Sequence, residues 1–475
     1  MSWPRWPRLR RTDLLLPVTV VAGAVAIGVA AYNAFVMPLT EPRLETEAGP
    51  LVAAPLWAWA RSLSALVPYP SGILTAAVVV SILAFLAYGL AVAITWRRSA
   101  TRLRLALVVG VAVVAFGLTA LALPTLDSDI FSYVADGRVA AVHGANPEVV
   151  APAAYPDDPI VRYASPLYRG VVGDNKLPLW TDITALLARA GGDDPVANLL
   201  LYRAVFLTAN LLNLALVALI LRRLRPDLLL AGLALYGWNP IVISTGQSKV
   251  DTLMATFVLL SVLGIVGGRH RRATVALVLS VLVKLITLPL LVIQLGGEAW
   301  RRRWRELALD LWLVAAVSVA VYATFWAGPG ELHSHLGLLT GGGSSTPSAL
   351  RPLVLLGFVG VVLWSVHQSD GSPHGTIRGW TITMLYFGAL LTTPGLSWYL
   401  IALIALVAVA GDALLAVGGI AVSAVSFLFD RAQRFELSSP VRVDGRILFI
   451  VAGIGVLAAV AMAVWIRRRP ERSPT

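Results

Sequence analysis

Three aspartates, Asp127, Asp129 and Asp136, follow directly on a long apolar run in the stretch LDSDIFSYVADGRVAAVHGANP, residues 126–147. A carboxylate in such a place can accept a proton from a hydroxyl group within hydrogen-bond reach. The structural alternative is that these side chains cap a helix or stand in a solvated turn. We take Asp129 as the first candidate for a catalytic base and Asp127 as a second base or a helper.

Lysine is rare in this chain, and its placement is unusual. Of the 38 basic residues only three are lysine, Lys176, Lys249 and Lys284, and none lies in a basic cluster. A compact ammonium differs from the planar arginine fork as a phosphate ligand. A lysine inside an apolar stretch is costly unless it meets an anion. Against chance placement in an arginine-rich chain, this pattern favours a phosphate site, for which Lys284 and Lys249 are candidates together with Arg138 and Arg351.

Other polar residues are weaker candidates for substrate binding. Asp251 begins an apolar run, where a helix dipole alone would favour a negative charge. Tyr133 lies in the acidic stretch, and His333 and His335 lie in ELHSHLG. Two histidines and one glutamate on a glycine-rich loop are a weak metal signal, so a contact to sugar or phosphate is the better functional interpretation. We expect no cofactor and assign no metal ligands, and the sequence leaves open whether the activity depends on a metal.

The composition defines the protein class. The chain has 475 residues, of which 57% are hydrophobic and only 13% are charged. This balance predicts an all-α polytopic membrane protein, and no stretch is polar enough for a separate soluble domain. We therefore expect a single transmembrane domain over residues 1–475. The chain contains no cysteine, which excludes disulfides, thiol catalysis and zinc–thiolate sites.

The net charge of +12 is distributed as in a membrane protein. Basic clusters stand beside apolar runs, as cytoplasmic loops facing anionic headgroups do, and no basic domain remains for a nucleic acid. The clusters lie at 5–11, 97–104, 222–225, 269–272, 301–305 and 467–472. We expect a plasma-membrane protein with cytoplasmic N- and C-termini and an uncleaved first span, whereas residues 37–72 and 124–198 face outside.

The apolar runs predict about 12 spanning helices, but residues 273–295 break the count. As one span, ATVALVLSVLVKLITLPLLVIQL would place two strong basic clusters outside. As two half-helices that enter and return, it leaves both clusters inside. Lys284, Thr287 as an N-cap and Pro289 all mark the break. We prefer this re-entrant pair, and broken helices at membrane depth line protein cavities.

The outer loop 124–198 is too long for a simple connection and is predicted to carry the chemistry. Its ten acidic and five basic residues suit the outer side. The helical spacing of apolar residues after Asp129 predicts an interfacial helix on the outer leaflet, with Phe131 and Tyr133 at headgroup level. The proline-rich and aromatic remainder of the loop predicts an irregular lid over a cleft.

The segment DIFSYVADGRVAAVHGANP, residues 129–147, resembles a motif of the GT-C glycosyltransferases. The resemblance is closest to the bacterial polyprenol-phosphate-mannose-dependent mannosyltransferases. The segment WNPIVISTGQSKVDTLMA, residues 238–255, resembles a second motif, with Lys249 where histidine is usual and Val250 where asparagine is usual. VLVKLITLPLLV, TPSAL and LSWYLIALIAL resemble weaker signatures. Apart from this resemblance, the Trp398–Tyr399 pair is typical of an interfacial aromatic belt.

The resemblance implies a GT-C fold and an inverting transfer of a sugar, with mannose expected, from a polyprenyl-phosphate donor. The acceptor would be a cell-envelope glycan or glycolipid on the outer face. It also implies Asp129 or Asp127 as base, with cations for the leaving phosphate. A decaprenyl-phosphate-arabinose-dependent arabinofuranosyltransferase is the alternative enzyme. A lipid-linked-sugar flippase would need more charges within its spans and an internal repeat, and a non-catalytic scaffold would not need the outer acids.

Overall fold

The computed structural model describes residues 73–96, 98–121, 128–164, 169–172, 176–328, 351–369, 371–391 and 396–438. Within these ranges the chain forms helices and contains no β-strand. The helical class predicted from the composition is therefore confirmed. The predicted first and last spans, Asp127, His333 and His335 lie outside the described residues.

The helices follow one another with short connections. In chain order they are α1 Ile73–Thr95, α2 Arg102–Ala120, α3 Ser128–Ala141, α4 Pro178–Gly191, α5 Pro195–Leu224, α6 Leu229–Gly237, α7 Pro240–Thr245, α8 Asp251–Val266, α9 His270–Val283, α10 Leu288–Trp300, α11 Trp304–Tyr322, α12 Arg351–Gln368, α13 Pro373–Tyr386, α14 Ile401–Ala410 and α15 Ala413–Ser438. Short 3₁₀ turns lie at Pro152–Ala154, Val161–Tyr163, Pro226–Leu228, Leu285–Thr287 and Ser397–Leu400.

Four of the described helices are long and apolar enough to cross a bilayer. They are Arg102–Ala120, Pro195–Leu224, Arg351–Gln368 and Ala413–Asp430. Shorter apolar helices, including Asp251–Val266 and Leu285–Trp300, accompany them. These helices are those of a membrane protein, whereas the count of about 12 spans stays a prediction.

The break predicted at Lys284 is confirmed. Helix α9 ends at Val283 and α10 begins at Leu288, with Pro289 in its first turn. The two helices fold back on each other, because Gln294 Nε2 donates to Thr274 Oγ1 at 2.7 Å. Thr287 stands at the N-cap position, but its hydroxyl makes no cap bond and donates to Ser280 Oγ across the hairpin.

The hairpin α9–α10 returns to the side from which it starts. His270, at its beginning, and Glu298, near its end, line the same cavity. The side-by-side course of the two helices is the geometry that the re-entrant interpretation requires. Its position relative to a membrane stays a prediction.

The outer loop holds two helices, α3 and α4, and its proline-rich remainder between them is irregular where it is described, apart from short helical turns. The predicted irregular conformation is therefore confirmed there, whereas its role as a lid stays a prediction. Helix α3 packs directly on α4. A Cβ atom at Gly137 would lie 2.3 Å from the Thr184 carbonyl oxygen, so the two backbones approach closely only because residue 137 is glycine. Phe131 and Tyr133 are buried, at 3% and 1% exposure, rather than at lipid headgroups. Aromatic side chains of the protein enclose them, Tyr163 against Phe131 and Trp180 against Tyr133.

Candidate functional site

A buried polar network holds the turn that presents Lys249 and Asp251. Helix α7 is capped by Asn239 and ends at Thr245, and Gly246 begins a tight turn before α8 starts at Asp251. The Gly246 carbonyl accepts hydrogen bonds from Asn210 Nδ2 at 2.9 Å and from Thr252 Oγ1 at 2.8 Å. A Cβ at position 246 would lie 2.4 Å from the Val242 carbonyl oxygen, so the turn requires glycine there. The backbone of the site is thereby fixed from α5.

Lys249 pairs with the candidate base. Its Nζ donates to Asp129 Oδ2 at 2.6 Å. The lysine side chain is 2% exposed and that of Asp129 is 17% exposed, so the carboxylate lies at the open side of the pair. The turn between α7 and α8 and the first turn of α3 are therefore in contact, although Lys249 and Asp129 lie 120 residues apart in the sequence.

Lys284 pairs with Asp251. Its Nζ donates to both carboxylate oxygens of Asp251, each at 2.9 Å. Both side chains are buried, at 8% and 1% exposure. The lysine stands where α9 ends, in extended backbone with φ −159° and ψ 129°, so the break in the hairpin turns this side chain toward α8. A buried ion pair of this kind is favourable only while both partners are present.

Lys176 lies beside Lys284. The Leu177 N–H donates to the Val283 carbonyl, left without a helical partner by the end of α9, at 3.3 Å. Lys176 precedes Leu177 and Lys284 follows Val283, so the two lysines are neighbours. The charges of Lys176 and Asp129 both act on Lys284. All three lysines of the chain converge on one site, although an outer loop, a turn and a helix break supply them.

Each of the three ammonium groups also lies over an aromatic ring. Lys176 Nζ is 4.6 Å from the centroid of the Tyr133 ring. Lys249 Nζ is 4.2 Å from that of Trp398, and Lys284 Nζ is 3.8 Å from that of Tyr399. Sequence reasoning missed the roles of Trp398 and Tyr399, although LSWYL was a signal. These contacts place both rings against the lysines inside the protein.

Arg138 has a different environment from that expected of a phosphate ligand. Its guanidinium is 2% exposed and bonds Asp158 through Nε at 2.8 Å and Asp193 through Nη2 at 2.7 Å. Its Nη1 donates to the Gly192 carbonyl at 2.7 Å. His143 Nε2 also lies 2.9 Å from Asp158. These contacts tie the end of α3 to the rest of the outer loop and do not support a phosphate-binding role.

Two of the remaining predicted site residues belong to the lysine site. Asp251 joins the site as the partner of Lys284, and Tyr133 joins it as the ring beneath Lys176. Arg351 is the first residue of α12, and its role stays a prediction. Within the part of the chain that the structure describes, no group of three or more His, Asp or Glu side chains could hold a metal ion.

The sequence that contains this site also matches a known family. The family model described as alpha-(1->6)-mannopyranosyltransferase, N-terminal domain, matches residues 18–300, which is more than half of the chain. The chain belongs to this mannosyltransferase family. This membership confirms the resemblance seen in segment 129–147. The region of this mannosyltransferase that the family model matches ends at residue 300, the last residue of helix α10. No curated protein and no solved structure matches the chain significantly.

Proposed function

We propose that this mannosyltransferase transfers mannose from a polyprenyl-phosphate donor to a hydroxyl group of a glycan or glycolipid acceptor on the outer face of the membrane. The observation that carries the proposal is the meeting of Asp129 with the only three lysines of the chain. A base and a cationic set are the two things that transfer from a lipid phosphate requires. Lysine ammonium groups can donate charge-assisted hydrogen bonds to a phosphate and stabilise the charge that it carries as it leaves.

The proposed reaction is a single displacement. The acceptor oxygen forms a bond to the anomeric carbon while the bond from that carbon to the phosphate oxygen breaks, and the electron pair stays on the polyprenyl phosphate. Asp129 accepts the hydroxyl proton. Lys249, Lys284 and Lys176 stabilise the phosphate as it leaves. Because a single displacement inverts the anomeric centre, an α-mannoside product of the kind named by the family requires a β-linked mannosyl phosphate.

The Asp129–Lys249 pair connects the two halves of this reaction. A lysine at 2.6 Å stabilises the charged form of the carboxylate and so weakens it as a base. A donor phosphate competes for the same ammonium. As Lys249 turns toward the phosphate, its hold on Asp129 weakens, and the carboxylate becomes a better proton acceptor. The base is thus strongest when the donor is bound.

The test is a transfer assay with purified protein and radiolabelled polyprenyl-phosphate sugars. We expect polyprenyl-phosphate mannose to be consumed and a nucleotide-linked mannose to be inert. Use of polyprenyl-phosphate arabinose instead would support the arabinofuranosyltransferase alternative. Transfer from the nucleotide sugar alone would contradict the proposed donor class. Anomeric analysis of the product by NMR tests inversion in the same samples.

A further inference from the structure

The site is completed by a short turn that lies far beyond the matched family region. That region ends at residue 300, whereas the 3₁₀ turn Ser397–Leu400 precedes helix α14. Trp398 and Tyr399 are consecutive in this turn and reach two lysines of the matched region, Lys249 and Lys284. The two ion pairs of the site are therefore covered by one dipeptide.

The turn has its own anchor. Ser397 Oγ donates to Asp430 Oδ2 at 3.0 Å, and Asp430 is 2% exposed within α15. On the other side, Leu400 is buried in the core at 1% exposure. Buried groups on both sides of the aromatic pair thus fix the backbone that presents the two rings.

An aromatic ring and a carboxylate act differently on a lysine. A carboxylate cancels the charge of the ammonium, whereas a ring attracts the ammonium through its quadrupole and leaves the net charge in place. Lys249 and Lys284 each contact both a carboxylate and an aromatic ring. The rings can therefore hold the ammonium groups in position while their carboxylate partners exchange places with an incoming phosphate.

We propose that Trp398 and Tyr399 are positioning residues for the donor: they hold the ammonium groups of Lys249 and Lys284 toward the polyprenyl phosphate. This inference rests on the proposed function, because it assumes that the lysines bind the donor phosphate. It assigns part of the donor site to the C-terminal half of the chain. The aromatic pair then contributes to donor affinity without touching the reacting atoms.

The test uses the full chain and a polyprenyl monophosphate without sugar as the probe, with the matching polyprenol as the control ligand. Trp398→Leu and Tyr399→Leu should each weaken binding of the phosphate by roughly 5–30-fold. Trp398→Phe and Tyr399→Phe keep a ring and should retain most of the affinity. In the transfer assay, Tyr399→Leu should raise KM for the donor far more than it lowers kcat. Trp312→Leu is the matched control, because Trp312 is exposed on α11.

The outcomes separate the two proposals. If the parent protein binds no polyprenyl phosphate, both the proposed donor site and the proposed role of the rings are wrong. If the parent binds it and the leucine variants bind equally well, or if phenylalanine variants lose as much as leucine variants, only the role of the rings is wrong. Equal loss of polyprenol binding in the leucine variants would make the rings contacts of the prenyl chain. Unfolding temperatures check each variant. If a leucine variant does not fold, a folded phenylalanine variant that loses the affinity would still contradict the role of the rings.

Discussion

The ammonium of Lys249 lies 2.6 Å from a carboxylate oxygen of Asp129, so the proposed base and a proposed phosphate ligand form one ion pair. Each group therefore favours the charged form of the other and holds its side chain in place. A change at either residue is expected to affect both donor binding and proton transfer. Variants that alter one property at a time are the most informative.

Replacing Asp129 by Asn should lower turnover by about 10²–10⁴, the usual effect of losing a general base. The amide oxygen can still accept a hydrogen bond from Lys249, so the fold should persist. The measurement is kcat at saturating donor, with unfolding temperature as the check on folding. Asp157→Asn, an exposed aspartate in the same loop, is the matched control. Near-parental activity of Asp129→Asn together with an inactive Asp127→Asn would move the base to Asp127.

Lys284→Met should unfold more readily than the parent protein. The substitution leaves Asp251 buried at 1% exposure without its cation, and loss of one partner of a buried pair costs about 3–5 kcal/mol. The double variant Lys284→Met with Asp251→Asn should recover much of this stability, because no buried charge remains unpaired. Neither variant should bind polyprenyl phosphate as well as the parent. A single variant as stable as the parent would show that the pair contributes little.

The outer loop should lose stability in acid. Burial alone would raise the pKa of Asp158, but hydrogen bonds from the Ile160 N–H, Arg138 and His143 outweigh it and hold this pKa below its usual value. The folded state then binds fewer protons than the unfolded state, so the stabilisation is present above the unfolded pKa. It is lost as the pH falls through the lower folded pKa. In unfolding experiments on an acid pH series, Asp158→Asn should be less stable near neutrality and should show a smaller fall in stability in acid.

Single cysteines test the proposed orientation, since the chain has none of its own. Asp157→Cys should react with an impermeant thiol reagent on intact cells, because the outer loop is predicted to face outside. Arg303→Cys should react only after the membrane is opened, because the hairpin α9–α10 is predicted to return to the cytoplasmic side. Both positions are exposed in the folded chain. Labelling of both on intact cells would exclude the re-entrant topology.

Local features of this protein could be predicted from its sequence, whereas the contacts between side chains of distant segments could not. The break at Lys284 follows from a charge and a proline in an apolar run, and helix α3 follows from the spacing after Asp129. The rare lysines already pointed to an anionic site. Which side chains meet depends on packing between distant segments. The ring of Trp398 over Lys249 and the three acceptors around Arg138 therefore needed the structure.

Because lysine is so rare in this chain, cleavage after lysine can measure how often the site opens. Lys176, Lys249 and Lys284 are all at most 8% exposed, so an endoprotease that cleaves only after lysine finds no accessible bond among them in the closed site. Cleavage after Lys176 or Lys284 requires the outer loop to separate from the helix hairpin. The rate of such cleavage measures how often that separation occurs. A bound donor that holds these segments together should slow proteolysis, so digestion patterns can read out ligand binding without any sugar being transferred.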